Sequence, residues 1–226
     1  MPRTSRVLVG LSALSCAVAT ATSAQADQGY LVEIGPVFGL VKRSAEASGT
    51  SYDAGVAKGA VLRGKWSRWL RFSTRYLRAY HDVSLGTDAL GVQGNRYSSG
   101  PMRVETLQAA AHPTFEVHPR LVLLGTVGIG WSGMTMAAIG VDDERAHLPT
   151  RRGVFQEVPL GLGLVGEVWP TWATLSIEGM MALPYSRSGG AVANDTAYRD
   201  GQPLPVGPFP RPTMSTYALV SLCVAL

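Results

Sequence analysis

The chain has almost no cysteine, no long apolar run and no strong charge of either sign. Cys16 and Cys223 are its only two cysteines. Cys16 falls in an apolar N-terminal stretch, which leaves Cys223 without a partner for an internal disulfide. No CxxC or cysteine/histidine spacing offers a metal site, and no cofactor motif is present. Twenty Lys and Arg face sixteen Asp and Glu, a formal net charge of +4. Those cations are dispersed, so the charge gives no reason to expect nucleic acid as a partner. No stretch approaches the ~18–20 uncharged apolar residues of a membrane-spanning helix. What remains is 46% hydrophobic residues and 26 glycines, spread rather than clustered.

Residues 1–26 have the composition of an export leader. Arg3 and Arg6 open it, Val7–Ala19 is apolar and small, and Ala24-Gln25-Ala26 is an A-x-A cleavage site. The spacing predicts cleavage after Ala26, with residues 27–226 as a single domain. A lipoprotein signal at Cys16 is disfavoured because Ala13, not leucine, stands three residues upstream.

Past the leader, eight segments alternate in hydrophobicity with a period of two, the signature of strands with unlike faces. They are 30–41, 54–66, 69–81, 103–117, 121–134, 154–168, 171–183 and 213–226. Tyr30, Ile34, Phe38 and Leu40 oppose Glu33, Val37 and two glycines; Val158, Leu160, Leu162 and Leu164 oppose Glu157, Gly161 and Gly163. Ser67-Arg68, His118–Arg120 and Trp169–Thr171 are tight connectors, whereas 43–53, 86–100, 140–153 and 185–211 are long ones. Pro36, Pro113 and Pro159 interrupt segments and are expected at bulges or strand ends, because proline cannot donate to a ladder. Arg78 stands out as a cation on an apolar face, placed to snorkel to an interface.

The pattern predicts an all-β fold, an eight-stranded antiparallel up-and-down transmembrane β-barrel with short periplasmic turns and long extracellular loops. Period two alone also fits a soluble periplasmic barrel that binds a ligand, with the apolar face turned inward. The alternation of short and long connectors favours the membrane form. Tyr30, Trp66, Trp69, Trp169 and Trp172 fall at strand ends beside the short turns, where an interfacial aromatic girdle belongs.

The run His118-Pro119-Arg120-Leu121-Val122-Leu123-Leu124-Gly125-Thr126-Val127-Gly128-Ile129-Gly130-Trp131 resembles the turn-then-strand pattern of small outer-membrane barrels of the OmpA, OmpX and OmpW type. The closing strand, 217–226, is similar to the C-terminal signal read by the barrel-insertion machinery. The resemblance implies an outer-membrane location, contact with membrane lipid and lipopolysaccharide, and a monomer.

The candidate site is the set of ionisable residues on the inward face. Glu33, Arg63, Lys65, Arg71, Glu116 and Glu167 are expected near the periplasmic mouth, with Arg75, Glu157 and Glu178 higher up. In so narrow an interior opposed charges neutralise one another, which predicts a salt-bridge network plugging the lumen. The alternative is a small pore for ions or amphiphilic solutes, motivated by the inward glycines. No catalytic residue is identified: His81, His112, His118 and His147 are scattered, and neither His-x-Ser nor G-x-S-x-G occurs. Asp142-Asp143-Glu144 lacks the spacing of a calcium loop. The proline-rich segment from Pro203 to Pro212 reads as an extended surface loop, and Cys223 as an inert wall residue. The sequence thus favours a structural or surface-interaction barrel.

Overall fold

A computed structural model describes residues 32–45, 51–85, 100–141, 146–148, 150–170, 172–189, 195–199, 202–206 and 212–226. The leader, Tyr30 and the Asp142-Asp143-Glu144 run lie outside them. Thirteen strands follow in chain order: β1 Val32–Ala45, β2 Ser51–Tyr52, β3 Gly55–Ser67, β4 Leu70–Ser84, β5 Gly100–His118, β6 Leu121–Met136, β7 Ile139–Val141, β8 Ala146–Leu148, β9 Arg151–Trp169, β10 Ala173–Ser188, β11 Asp195–Arg199, β12 Gln202–Val206 and β13 Pro212–Ala225.

Eight of these close a ring, β4-β3-β1-β13-β10-β9-β6-β5, sealed by the β4–β5 pairing. Every neighbour pairing in the ring is antiparallel. Closure leaves no unpaired edge, the only form in which a sheet crosses a bilayer. The ring ends are tied as well: Leu226 N donates to Val32 O at 3.0 Å and Ala225 N to Trp172 O at 2.8 Å.

Period two is kept through most of each wall. Along β13, Ser215, Tyr217, Leu219, Ser221 and Cys223 are buried while Val220, Leu222 and Val224 face out. The outward set includes Phe38, Leu40, Leu107, Phe115, Leu162, Leu164, Ile177 and Met181. Apolar side chains on the outside of a closed barrel whose inside carries arginine and glutamate invert the soluble arrangement, and water cannot solvate such a belt cheaply.

The strands rise further than expected on the loop side. β1 continues through Arg43 to Ala45, β9 begins at Arg151 and β10 runs to Ser188. At 13–19 residues the wall strands exceed the ~9–11 needed to cross lipid, so their upper ends stand above the membrane. Two of the long connectors also carry structure. β7–β8 and β11–β12 are hairpins that join through Tyr198↔His147 and Arg199↔Ala146 into a separate four-stranded sheet, order β12-β11-β8-β7. The proline-rich segment is therefore partly strand rather than a plain extended loop.

Pro36, Pro113 and Pro159 sit neither at bulges nor at strand ends, whereas Pro184 borders a bulge of β10. β1 pairs with β13 at Ile34↔Val224 and again at Val37↔Ser221, skipping Pro36 with no change of register. β5 and β6 skip Pro113 between Ala111↔Val127 and Thr114↔Leu124, and β6 and β9 skip Pro159 between Val127↔Leu160 and Gly130↔Glu157. Each missing N–H opens the ladder on one side only, and the other neighbour holds the strand in place.

Candidate functional site: the packed lumen

The inward residues fall into layers. Nearest the turns, Glu33 on β1, Arg63 on β3, Arg71 and Arg75 on β4, and Glu178 on β10 converge. Arg63 Nη2 lies 3.1 Å from Glu178 Oε1 and its Nη1 3.5 Å from Glu33 Oε2. Arg75 Nη2 lies 2.6 Å from Glu178 Oε2. Arg71, at the edge of the cluster, reaches Glu33 Oε1 at 3.8 Å. Thr174 Oγ1 donates to Glu33 Oε2 at 2.9 Å, and Arg63 Nη2 also donates to Ser176 Oγ at 3.0 Å. β4 and β10 stand four strands apart by either route round the ring, so the Arg75–Glu178 pair spans its full width. Both partners are at most 3% exposed.

Above this lies an apolar layer of Val37, Val41, Val61, Leu77, Leu219 and Met180. The sequence reading places Val37 on an inward face rich in glycine and charge, and does not anticipate the rest of this layer. The inward glycines have a different use at two positions. A Cβ on Gly163 would come within 2.8 Å of Glu178 Cγ, and one on Gly130 within 2.9 Å of Glu157 Cγ and 3.1 Å of Gln108 Cγ. Each leaves room for the stem of an acidic side chain on the neighbouring strand, in register with it.

The upper layer is built around Arg43 and Glu157. Arg43 is 2% exposed and Glu157 fully buried. Arg43 makes no ion pair among the described residues. Its Nη1 donates to Ser215 Oγ, its Nε to His81 Nε2 at 3.3 Å and its Nη2 to Tyr217 OH at 3.5 Å. The guanidinium also lies 5.5 Å and 5.9 Å from the ring centres of Phe155 and Tyr217. Tyr217 OH donates to Glu157 Oε1 at 2.9 Å, and Gln108 Nε2 donates to the same oxygen at 3.0 Å. Opposite charges are thus linked through a phenol rather than directly. Sequence reasoning places Arg43 at the start of a connector and so misses it. Its recurrence at the inward parity, ten residues after Glu33, is the available signal.

Three candidates do not join the buried cluster. Glu116 and Glu167 are exposed and Lys65 is only partly covered. All three stand at irregularities of the ladder at the turn end, between Lys65 and Ser67, between Glu116 and His118, and where Glu167 and Trp169 face Thr174 and Ala173. There an extra residue breaks the alternation and the wall ends. Trp66, Trp69, Trp169 and Trp172 are exposed at the same end. Trp169 and Trp172 stack at 5.4 Å, Trp66 meets Phe72 edge-on at 6.3 Å, and Arg68 lies 4.7 Å over Trp69.

The fold also makes a Ser–His pair that no local motif announced. Ser73 Oγ lies 2.7 Å from His112 Nε2 across β4 and β5. The other ring nitrogen faces Gly125 O at 3.2 Å and Thr126 Oγ1 at 3.1 Å, not the orienting carboxylate of a triad. Both residues are buried in the wall. Cys223 is buried beside Ser221, with Sγ 3.8 Å from Oγ. Among the described residues no group of acidic, histidine and cysteine side chains has the geometry to hold a metal.

The closed ring, the apolar exterior and the charged interior define a transmembrane β-barrel of the outer membrane. Its fold is that of the small eight-stranded barrels of the OmpA, OmpX and OmpW type. Among solved structures the chain is similar to a major outer membrane protein from Thermus thermophilus, at 10% identity and a TM-score of 0.53, covering 88% of this chain and all of that one. It is also similar to neisserial surface protein A, at 11% identity and a TM-score of 0.51, covering 88% and 98% respectively. No known family profile matches the chain, and no curated sequence does.

Proposed function

We propose that the protein is a structural or surface-interaction barrel, non-enzymatic, whose lumen is closed by its own side chains. The observation that carries this reading is the Arg75–Glu178 pair at 2.6 Å between opposite walls. Two guanidiniums on one buried carboxylate, an apolar layer above them and the Arg43–Tyr217–Glu157 chain above that leave three successive barriers to a hydrated ion. An eight-stranded interior is only wide enough for its own side chains. Of the glycines that motivated a pore, Gly163 and Gly130 accommodate Glu178 and Glu157. The Ser73–His112 pair then acts as wall scaffold.

With the lumen occupied, contact with other molecules falls to the loop end and the outer wall. Export follows cleavage after Ala26, the insertion machinery reads the closing strand, and the barrel is a monomer. Trp66, Trp69, Trp169 and Trp172 anchor the turn end at the headgroup level, where amphipathic rings are enriched. The test is liposome swelling with the refolded chain in iso-osmotic sugars and salts. Rates equal to protein-free vesicles support the reading; swelling that grows with protein content refutes it.

A further inference from the structure

We propose that His81 and Arg43 form an acid-sensitive latch, which holds the loop end of β1 to the wall at neutral pH and releases it on acidification. Above Val41 this strand is paired on one side only among the described residues. Its ladder to β3 ends at Val41↔Gly55, while β13 follows it from Lys42↔Thr216 to Ala45↔Pro212 across a shift of register. Lys42 and Ser44 are exposed, so the buried Arg43 is the side chain that fastens this stretch. Two of its partners, Ser215 and Tyr217, stand on β13, which already holds β1. His81 stands on β4, beyond β3, and its bond to Arg43 Nε is the tie on the unpaired side.

The geometry fixes the state of the ring. His81 Nδ1 lies 2.9 Å from Asp53 O, and a carbonyl only accepts, so Nδ1 carries the hydrogen. Nε2 keeps the lone pair that accepts from Arg43 Nε at 3.3 Å. A proton on Nε2 would set N–H against N–H and place a second positive charge beside the guanidinium. An attraction then becomes a repulsion. The ring has no room to turn aside, because a Cβ on Gly55 would come within 2.8 Å of its Nδ1 and Cε1. Asp53 O holds it in both states, so Arg43 is the partner that moves.

Few other charges face this layer. Tyr52 comes from β2, Arg151 and Glu157 from β9, Arg187 from β10 and Tyr217 from β13, while β3 and β5 present Gly55 and Met102. Glu157 is the acid among them, and its Oε1 is bonded to Tyr217 OH and Gln108 Nε2 rather than to the histidine. The outward residues at this height are Lys42, Asp82 and Arg103, all exposed, so the layer stands above the hydrocarbon. Burial lowers the His81 pKa below the ordinary histidine value, opposed by the bond to Asp53 and reinforced by the Arg43 charge. An unfolded histidine titrates near pH ~6.5, so the stability that the latch supplies is complete above about that pH. It is lost as the pH falls from there through the folded pKa. What is released is the end of β1 and the first long connector. The Arg63–Glu178–Arg75 cluster takes no part, so a failed latch leaves the closed lumen standing.

The experiment is amide hydrogen exchange of the refolded full chain in lipid vesicles between about pH 8 and about pH 4, spanning the histidine range. Protection is taken relative to the unfolded chain at each pH, which removes the intrinsic pH dependence. The His81 ring is titrated in parallel by its NMR shift. Protection of residues 42 to 45 is expected to fall at least about tenfold as the ring gains its proton, since a hydrogen bond to a charged group is lost. The amides of residues 175 to 177, in mid-wall, should keep theirs. H81Q, which can accept from Arg43 but does not titrate, should hold the latch at every pH. H81K should release it already at neutral pH, and H118Q, at the turn end, should follow the wild type. Heat-modifiable migration on a gel verifies that each variant is folded. Constant protection of residues 42 to 45 while the ring titrates overturns the proposal. An equal fall in folded H81Q does so too, as does a ring that stays neutral throughout.

Discussion

The lower and upper halves of the lumen handle buried charge in different ways. Below, arginine and glutamate touch: Glu178 holds both Arg63 and Arg75, and Glu33 holds Arg63 and Arg71. Above, Arg43 and Glu157 are kept apart and joined through Tyr217, with Ser215, His81 and Gln108 completing their hydrogen bonds. A cluster of direct pairs depends on charge compensation, because removing one acid leaves a cation away from water without its carboxylate. A cluster relayed through neutral donors depends on hydrogen-bond geometry, and losing one link leaves the charges where they were.

Substitutions separate the two regimes by size of effect. Glu178→Ala strands Arg75 and leaves Arg63 with Glu33 alone, and is expected to lower stability by about 3–5 kcal/mol. Urea unfolding in lipid vesicles, followed by gel migration, measures it. Replacing Arg75 and Glu178 together by Met and Leu should cost less than the single change, since no charge is then left without a partner on that side. Gly163→Leu forces a side chain onto Glu178 Cγ and should cost about 1–3 kcal/mol in the same assay. Tyr217→Phe removes the relay, leaving Glu157 with Gln108 alone, and should cost about 1–3 kcal/mol. If Tyr217→Phe proves as damaging as Glu178→Ala, the distinction between the halves fails. Glu116→Gln, at an exposed position beyond the wall, should change stability by less than about 0.5 kcal/mol. A larger loss there would return Glu116 to the network.

Most of the fold was legible because a barrel writes its inside and outside at alternate positions. The eight segments, the short connectors after β3, β5 and β9, and the faces of β1, β4 and β13 follow from period two and connector length. Two kinds of information were not local. Parity gives the face but not the height, so Glu116 and Glu167 read as lumenal although bulges at the turn end release them. Lys65 is misplaced for the same reason. In the other direction, Lys42-Arg43-Ser44 reads as a polar connector because strands lose their apolar outer face once they rise above the lipid. Arg43 thus looks like a loop residue while sitting on the inward parity. The Ser73–His112 pair and the span from Arg75 to Glu178 join residues 39 and 103 positions apart. Pairing of the consecutive strands β4 and β5 makes the first contact, and only closure of the ring makes the second.

The central claim is that side chains meeting across the barrel leave no path through it. Single-channel recording of the wild-type chain in planar bilayers tests this most directly, with Glu178→Ala recorded alongside. The account predicts a silent wild type at all voltages that the bilayer tolerates, and a Glu178→Ala variant that stays silent too, because the apolar layer and the Arg43–Tyr217–Glu157 chain remain. Stable unitary steps in the wild type, changed in amplitude by Glu178→Ala, would contradict it.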